Sequence, residues 1–320
     1  MASVAMMFTS LAVVDAGPLT RRVAVAAHEL GVVTTFVSTH DPLGDALDAG
    51  ADAIHLLDAD AATQLTVARG CLAMGLRFVG SSVDALATVV DPDRWKAVAA
   101  AAGIAVSDPA DGRRIDVQLL ADLGGDVVHL REREVTGGDD AVVMAPAPRL
   151  ATAVRNGLCR EAVRLVEKLG LAGAVTVRFE VDGDAFAAVA VLPGLQLGHT
   201  ATEEVTNLDL VQAQLHLAHG ARLVDLGLTQ ESIIVRGYAI QCRVTADSGR
   251  PGTRWQVPGG PGVRIDGDHH RSASRLVAAL TFRGRDLVHT MRRTRRALTE
   301  LEVDGTTNVP ELHHALTRHG

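Results

Sequence analysis

A run of alternating residues near the middle of the chain constrains the fold most strongly. Residues 175–181, VTVRFEV, place apolar side chains at every second position, which is the period of a strand with one buried face. Residues 182–184, DGD, then supply a turn, and the apolar run 186–191 returns along the first strand. The sequence therefore predicts an antiparallel hairpin, and its apolar face needs a covering layer from elsewhere in the chain.

The N-terminal third shows a different order of elements. An apolar opening segment is followed by a helical repeat over residues 23–30 and by the β-rich run 32–37. Strand, helix and strand in this order form a right-handed unit with parallel strands. The first turn lacks the glycines of a G-x-G-x-x-G motif, so the backbone cannot approach a pyrophosphate closely. We therefore do not expect a classical dinucleotide site.

The rest of the pattern extends this α/β organisation over further lobes. Helical periodicity covers residues 63–74, 95–102, 162–169, 208–218 and a basic segment at 285–301, and strand patterns cover 76–79, 115–120, 127–130 and 236–244. The polar, turn-rich segment 107–114 is the clearest linker in the first half. We expect a parallel α/β lobe (1–112), a central lobe (113–228) and a mixed β lobe (229–320).

Charge and hydrophobic content limit the function classes. With 47% hydrophobic and 22% charged residues, the chain has the composition of a folded protein. A net charge of -7 gives no positive field for nucleic acid or a membrane surface, so neither partner is expected. The opening segment lacks the basic residues of a signal peptide, and no run approaches the roughly 18 apolar residues of a membrane helix. We expect a cytoplasmic protein.

Metal and nucleophile motifs find little support. Cys71, Cys159 and Cys242 lie far apart without C-x-x-C spacing, which indicates buried thiols rather than a zinc site or a disulfide framework. The histidine pairs 269–270 and 313–314 point their side chains in different directions and lack a completing ligand. We predict no metal site, and without a G-x-S-x-G elbow we predict no serine-hydrolase triad.

Four segments of the C-terminal half are EEVTNLDLVQAQLHLAHG, RGYAIQCRVTAD, VPGGPGVR and VDGTTNVPELHHAL. In this order they resemble segments of biotin carboxylases, the ATP-grasp subunits of acyl-CoA and pyruvate carboxylases. HLREREV followed by APAP resembles a strand and loop of the family's ATP-grasp domain, and RRVAVAAHELGVVTTFVS and LRFVGSS resemble its N-terminal lobe. The resemblance implies a biotin-carboxylase-like fold over nearly the whole chain.

The resemblance also implies a site, and the sequence departs from it at several positions. The family forms carboxyphosphate from ATP and bicarbonate and needs two acidic magnesium ligands, which would fall on Arg178 and Ala190. An arginine that clamps an anion and a glutamate that deprotonates bicarbonate would fall on Gly194 and Gly198, and an asparagine or threonine on Leu192. A guanidinium repels a divalent cation, and glycine supplies neither a base nor a charge.

The glycine-rich lid of the family has no counterpart. The short linker 107–112 stands where the family inserts a whole subdomain, and the loop 136–140, TGGDD, replaces a cluster of glutamine, arginine and histidine. The central lobe is therefore expected to be a remnant ATP-grasp lobe without its lid. We expect no ATP and no other cofactor.

Polar residues remain near the expected site. Arg178, Gln196, His199, Thr200, Glu203 and Arg243 are the candidate ligand-binding residues. They suggest a cleft for a small anionic or carbonyl-bearing ligand, in which Arg178 and Arg243 supply charge and His199 supplies a proton, so that these three are the candidate catalytic residues. Alternatively, His199 and Thr200 cap the turn before a helix, and Arg243 pairs with an acid such as Glu203 or Asp247.

Two classes of function remain open. The first is a non-catalytic subunit that forms a homodimer or binds a carboxylase-family partner, with Arg22, Trp255 and Arg264 in segments that match the family's pairing surface. The second is a repurposed, ATP-independent enzyme whose lidless cleft takes a small carbonyl, carboxylate or polyketide-like substrate. An active biotin carboxylase subunit is a third, less favoured alternative.

Overall fold

The computed structural model describes residues 8–14, 20–110, 112–246, 255–267, 275–303 and 305–317. The strands are β1 Ser10–Val14, β2 Val33–Val37, β3 Ala53–His55, β4 Arg77–Phe78, β5 Arg113–Ala121, β6 Val127–Thr136, β7 Val142–Ala145, β8 Gly173–Asp182, β9 Ala185–Pro193, β10 Tyr238–Thr245, β11 Trp255–Gln256, β12 Val263–Gly267, β13 Leu276–Gly284 and β14 Glu302–Val303. The helices are α1 Thr20–Glu29, α2 Pro42–Asp48, α3 Ala61–Met74, α4 Val83–Val90, α5 Pro92–Ala101, α6 Thr152–Leu169, α7 His199–Thr206, α8 Leu210–His219, α9 Leu287–Glu300 and α10 Val309–Thr317. The expected histidine pair 269–270 lies outside the described residues.

The N-terminal strands form a parallel sheet, as the sequence predicted. The sheet order is β2-β1-β3-β4, and Ser10 on β1 is in register with Val33 on β2. Helix α3 begins where the Asp60 carboxylate accepts a hydrogen bond from the Thr63 backbone N–H at 2.6 Å. It ends at Gly75, whose φ of 73° suits glycine. Gln64 of α3 donates to Pro193 O at 2.7 Å, so the N-terminal end of this helix lies against the β8–β9 hairpin.

The predicted hairpin lies at one edge of a second, larger sheet. That sheet has 8 strands in the order β12-β13-β10-β7-β6-β5-β8-β9. Arg178 on β8 is in register with Ala190 on β9, and a bulge follows between Arg178 and Phe179. Strand β10 pairs with β7, so one sheet crosses the expected boundary after residue 228. The division into three lobes stays a prediction about domain organisation.

Alternation along the central strands separates an apolar face from a polar one. Ile115, Val117, Val177 and Phe179 pack in one core with α6. The side chains of Asp116, Gln118, Thr176 and Arg178 are at the intervening positions and point to the other face, because successive side chains of a strand alternate. This second face, toward α7 and α8, carries the polar site.

The expected linker lies along the open edge of the hairpin. The Ala188 N–H donates to Ala105 O at 2.8 Å, and the Ser107 N–H donates to Ala188 O at 3.1 Å. The Ala110 N–H donates to the Glu180 carboxylate at 2.7 Å. The linker is thus fixed to the two strands rather than looping away from them. Among the described helices, none has the length and apolar character needed to span a membrane.

Candidate functional site

A polar cavity of about 300 Å³ lies at the end of the β8–β9 hairpin. Its charged lining residues are Asp58, Asp60, Asp116, Asp140, Arg133, Arg178 and Arg243, and its other lining residues are Ala59, Ala61, Val135, Val143, Val191, Leu192, Pro193, Gln196 and Gly198. The cavity is small and strongly polar, unlike the predominantly apolar pockets that bind most organic ligands. Of the predicted ligand-binding residues, Arg178, Gln196 and Arg243 line it.

Arg178 is held by two carboxylates. Its Nε and Nη2 donate to the two oxygens of Asp116 at 2.7 and 3.1 Å, and Nη2 also donates to Asp140 Oδ2 at 2.9 Å. Burial opposes the charged form of Arg178, but the hydrogen bonds and charge of Asp116, followed by those of Asp140, outweigh it and raise the pKa of this guanidinium. Arg178 therefore remains a cation, with its charge compensated inside the protein.

A second arginine, Arg133, is buried close to Asp116, the main partner of Arg178. Arg133 is 1% exposed and donates to Gln118 Oε1 at 2.8 Å, to Thr176 Oγ1 at 3.1 Å and to Thr202 Oγ1 at 3.2 Å. Its Nη2 lies 3.9 Å from Asp116 Oδ2. Burial lowers the pKa of Arg133 to about 10, although the charge of Asp116 counteracts it.

Two glycines lie where the family resemblance predicted catalytic side chains. Gly194 has a φ of 80°, and a Cβ added there would lie 3.1 Å from the Gln64 amide nitrogen. Gln64, from α3, donates to Pro193 O at 2.7 Å and to Ala59 O at 2.8 Å. At Gly198 an added Cβ would lie 3.3 Å from Arg133 Nε. Neighbouring side chains therefore occupy the space into which side chains at 194 and 198 would grow.

The loop after β9 is fixed to the N-terminal lobe. The Leu197 N–H donates to Asp58 Oδ1 at 3.0 Å, and the Asp58 N–H donates to Leu195 O at 2.9 Å. Arg243, on β10, also lines the cavity. Burial lowers the pKa of Arg243, and the charges of Asp58 and Asp140 counteract this effect. The cavity thus has carboxylates and guanidinium groups on more than one wall.

The predicted residues on α7 point away from the cavity. His199 is 0% exposed, and its Nδ1 lies 2.9 Å from Gln196 O in the turn before α7, whose N-terminus has Gly198 as its cap residue and no side-chain cap hydrogen bond. Burial, followed by the charge of Arg264, lowers the pKa of His199 to about 4. Thr200 Oγ1 lies 2.7 Å from Thr281 Oγ1 and accepts from the Gln241 amide at 2.6 Å. Neither side chain lines the cavity.

Comparison with known proteins places the chain among carboxylases. Residues 108–226 match the family model described as carbamoyl-phosphate synthase L chain, ATP binding domain. Pyruvate carboxylase of Aspergillus terreus is 36% identical over 225 residues, an alignment that covers 64% of this chain and 19% of that protein. Human mitochondrial pyruvate carboxylase is 36% identical over 227 residues, with 64% and 19% covered. The chain therefore matches about a fifth of the length of these relatives.

Solved structures give the same result over more of the chain. The complete multifunctional pyruvate carboxylase from Rhizobium etli superposes with a TM-score of 0.87 at 26% identity, covering 97% of this chain and 34% of that one. A single-chain, multi-domain long-chain acyl-CoA carboxylase superposes with a TM-score of 0.87 at 27% identity, covering 96% and 39%. The resemblance of the sequence to biotin carboxylases is thereby confirmed. The fold class of the chain, an α/β biotin-carboxylase-like architecture, is confirmed.

The donor set of this biotin-carboxylase-like site does not fit a divalent cation. Magnesium takes an octahedron of oxygen ligands, yet the hairpin positions carry Arg178 and Ala190, and the nearby oxygens of Asp116 and Asp140 already accept from guanidinium. Among the described residues no group of three His, Cys, Asp or Glu side chains is placed to hold a metal ion. The cysteines are buried, and burial raises the pKa of Cys71, Cys159 and Cys242 to about 12.

Two residues predicted for the pairing surface meet inside the molecule. Arg264 donates to Glu203 Oε2 at 2.6 Å and to Asp266 at 2.7 Å. Arg22 approaches Glu203 Oε1 at 3.8 Å and binds Asp209. Glu203 also accepts from the Leu210 N–H at 2.7 Å, so this buried carboxylate ties α1, α7 and β12 together. Trp255 opens β11, which pairs with β14.

Some residues of the site were not found by sequence reasoning. Asp116, Asp140, Arg133, Asp58 and Gln64 were not among the predicted side chains. Asp116 gave one usable signal, because it is the charged residue in the strand pattern at 115–120, IDVQLL. A buried charge needs a partner, and Arg178 is the register partner across β5 and β8.

Proposed function

We propose that this chain is a biotin-carboxylase-like protein that does not perform Mg-ATP-dependent carboxylation and acts as a non-catalytic subunit. One observation carries the proposal. Arg178 lies between Asp116 and Asp140, with contacts of 2.7 to 3.1 Å, at the hairpin position where the family resemblance puts an acidic metal ligand. A protein cation thus occupies the carboxylate environment that a metal ion would need.

The electrostatic cost of adding a divalent ion supports this proposal. A charge of +2 placed about 5 Å from a guanidinium is repelled by on the order of 7 kcal/mol at an effective dielectric constant of about 20. For these oxygens to ligate the ion in place of Arg178, Asp116 and Asp140 would have to release that guanidinium. Arg178 would then be a partly buried cation without its ion pairs, which is itself unfavourable.

The residues around the β8–β9 hairpin also support the proposal that the chain does not use Mg-ATP. Gln64 packs where a side chain at Gly194 would extend, and Arg133 lies against Gly198. The segment 105–110, which includes the start of the expected linker, follows the hairpin edge through hydrogen bonds to the Ala188 backbone and the Glu180 carboxylate, in place of a lid subdomain. Each feature replaces part of a nucleotide site with contacts internal to the chain.

The subunit role that we propose is dimerisation or scaffolding within a carboxylase-family complex in the cytoplasm. Val25 is 53% exposed on α1, one helical turn from Arg22, and gives this face an apolar contact point. Ile265 is 38% exposed next to Arg264. A homodimer or a family partner would bury this face, whose charges are already paired within the chain. No nucleic-acid or membrane partner is proposed.

One observation keeps a ligand-binding role alongside the subunit role. Arg243 and Gln196 line the 300 Å³ cavity. They would suit a small anionic or carbonyl-bearing ligand. His199 lies outside the cavity lining, so an ATP-independent enzyme that uses it as a proton donor is the less supported alternative.

A thermal-shift panel tests the proposed function. The purified chain is heated alone and with Mg-ATP, bicarbonate, biotin or acyl-CoA. A ligand present at 100 times its Kd stabilises a protein by about 2.7 kcal/mol, which shifts the Tm by several degrees. We expect no shift with Mg-ATP at millimolar concentration. A saturable Mg-ATP shift would support the active carboxylase alternative instead.

The subunit role has its own test. Analytical ultracentrifugation of the wild type should show a concentration-dependent dimer, or a complex with a co-purified carboxylase subunit. Val25→Arg, which leaves the Arg22–Glu203–Arg264 contacts in place, should weaken that assembly without lowering the Tm. A monomer at all concentrations, with no carboxylase subunit recovered from the native organism, would argue against the subunit role.

A further inference from the structure

A second and larger opening lies beside the cavity. It has a volume of about 610 Å³ and runs between β5, β6, the loop 136–140 and α10. We call it the α10 groove; its charged lining residues are Arg113, Arg114, Glu134, Glu311 and His314. At Gly138, an added Cβ would meet no atom within 4 Å, so the loop backbone faces open space on this side. The volume falls within the range of small-molecule sites.

We propose that the α10 groove binds a small molecule through a single carboxylate or phosphate group on Arg114, and that Asp140 transmits this binding to Arg178 in the cavity. The two openings would then act as antagonistic anion sites. This inference is independent of whether the chain uses Mg-ATP.

Asp140 is shared between the two openings. Its Oδ1 lies 2.8 Å from Arg114 Nη1, and Arg114 lines the groove. Its Oδ2 lies 2.9 Å from Arg178 Nη2, and Arg178 lines the cavity. One carboxylate therefore stands between two guanidinium groups that compete for it. The backbone at Asp140 has a φ of 55°, a conformation that Asp tolerates better than most residues, so the short loop can aim this side chain between the two arginines.

Arg114 has capacity for a ligand. Its side chain is 36% exposed; it forms an ion pair with Asp140 and donates to Gly137 O at 3.5 Å, the outer limit of a hydrogen bond. A guanidinium carries five N–H donors in a planar fork that matches a carboxylate or phosphate. Arg113 is committed instead to Glu134 at 2.6 Å and to Pro148 O. Arg114 is thus the anchoring residue.

The acids of the groove limit the charge of the ligand. Glu134 and Glu311 line the same opening as the two arginines. A polyanion would be repelled by these carboxylates, whereas one compact anionic group can reach Arg114. The ligand class is therefore a small molecule with a single carboxylate or phosphate group.

The sign of the coupling follows from the competition for Asp140. An anion on Arg114 satisfies that guanidinium and repels Asp140, which leaves Asp140 to Arg178 alone. Arg178 is then held more firmly, and an anion entering the cavity has to displace a stronger contact. By thermodynamic linkage, each ligand lowers the affinity for the other by the same factor.

Arginine labelling tests both parts of the proposal. The full chain is reacted with phenylglyoxal in sodium phosphate or in sodium chloride of equal ionic strength, and the labelling rates of Arg114 and Arg178 are read by peptide mass spectrometry. We expect phosphate to slow labelling at both residues, by about fivefold at Arg178 if the coupling has a common size. Asp140→Asn should keep the protection of Arg114 but make labelling of Arg178 independent of phosphate.

Arg114→Gln separates coupling from direct binding in the cavity. In this variant the labelling rate of Arg178 should no longer respond to phosphate. The proposal is overturned if phosphate leaves Arg114 unprotected, if it leaves Arg178 unchanged or faster in the wild type, or if it slows Arg178 equally in Arg114→Gln. Arg94→Gln, a change at an exposed arginine paired with Asp91, should respond like the wild type, and a lost response there would also overturn the proposal.

Discussion

Arg178 on β8 is in register with Asp116 on β5 and forms a two-point ion pair with it, with contacts of 2.7 and 3.1 Å. On its other side Arg178 is in register with Ala190 of β9, whose methyl group cannot bind the guanidinium. The ion pair therefore places a positive charge on the polar face of the sheet. This arrangement leads to expectations for stability as well as for ligand binding.

Removing the Arg178 charge should destabilise the fold. Arg178→Gln leaves Asp116, which is 2% exposed, and Asp140 without their shared cation, and breaking such a buried pair costs about 3 kcal/mol. Urea unfolding followed by circular dichroism measures the change. Arg94→Gln breaks an exposed pair with Asp91 and should cost less than about 0.5 kcal/mol. Equal stability of the two variants would contradict the account.

Glu203 should be a second point of high sensitivity. It is 5% exposed and accepts from Arg264 and the Leu210 N–H at 2.6 and 2.7 Å, so Glu203→Gln should cost about 3 kcal/mol in the free energy of unfolding. Glu204 lies 3.7 Å from the same Arg264 but is more exposed, and Glu204→Gln should cost less than about 1 kcal/mol. A small effect at Glu203 would show that this carboxylate does not join α1, α7 and β12 energetically.

Replacing Gly194 by a residue with a side chain should destabilise the fold. At Gly194 a Cβ meets both a φ of 80° and the Gln64 amide at 3.1 Å, whereas at Gly183 a φ of 57° is combined with open space. Gly183→Ala should therefore cost about 1 kcal/mol from backbone strain alone, and Gly194→Ala should cost more. The difference in urea midpoint measures the packing of Gln64. Gly194→Ala that is as stable as Gly183→Ala would mean that Gln64 moves aside freely.

Buried histidines should make the fold sensitive to acid. Burial lowers the pKa of His55 and of His199 to about 4, although the hydrogen bond that His55 donates to Gln214 Oε1 counteracts the effect at His55. In the unfolded chain these histidines bind protons near pH 6.5, so unfolding below that pH takes up protons. The contribution of the neutral histidines to the free energy of unfolding is therefore fully present above about pH 6.5 and is lost as the pH falls from 6.5 to 4. The loss approaches about 3 kcal/mol for each histidine at the lower end.

Urea unfolding at several pH values checks this prediction. His55→Gln should reduce the slope of stability against pH in the interval from 6.5 to 4, whatever its effect at pH 7. His40→Gln, at an exposed position, is the matched control and should leave the slope unchanged. The prediction is wrong if the wild type has a flat profile or if both variants have the same slope.

Local patterns predicted much of this structure. The alternation over residues 175–191 gave the hairpin, and the strand, helix, strand order gave the parallel N-terminal sheet, because both depend on neighbours in sequence. Helices α2 and α4 were not predicted, since each is short and offers few turns of apolar periodicity. The family resemblance placed Arg178 opposite Ala190, as the register has it.

Partners distant in sequence could not be predicted. Asp116 and Asp140 lie 62 and 38 residues from Arg178, and no local pattern indicates which acid an arginine will meet. The sequence left open a pair of Arg243 with Glu203 or Asp247. Asp247 lies outside the described residues, and Glu203 contacts Arg264 and Arg22, which β12 and α1 bring together. The position of the His199 side chain depends on where α7 begins. Because α7 begins at residue 199, this side chain points into the core.

The central claim, that a protein cation has replaced the metal ion beside the hairpin, is tested most directly by isothermal titration calorimetry of the full chain with Mg-ATP. We predict no saturable heat up to millimolar nucleotide, with or without bicarbonate, because a divalent ion would have to displace Arg178 from Asp116 and Asp140. Magnesium-dependent binding with a micromolar Kd would contradict the claim.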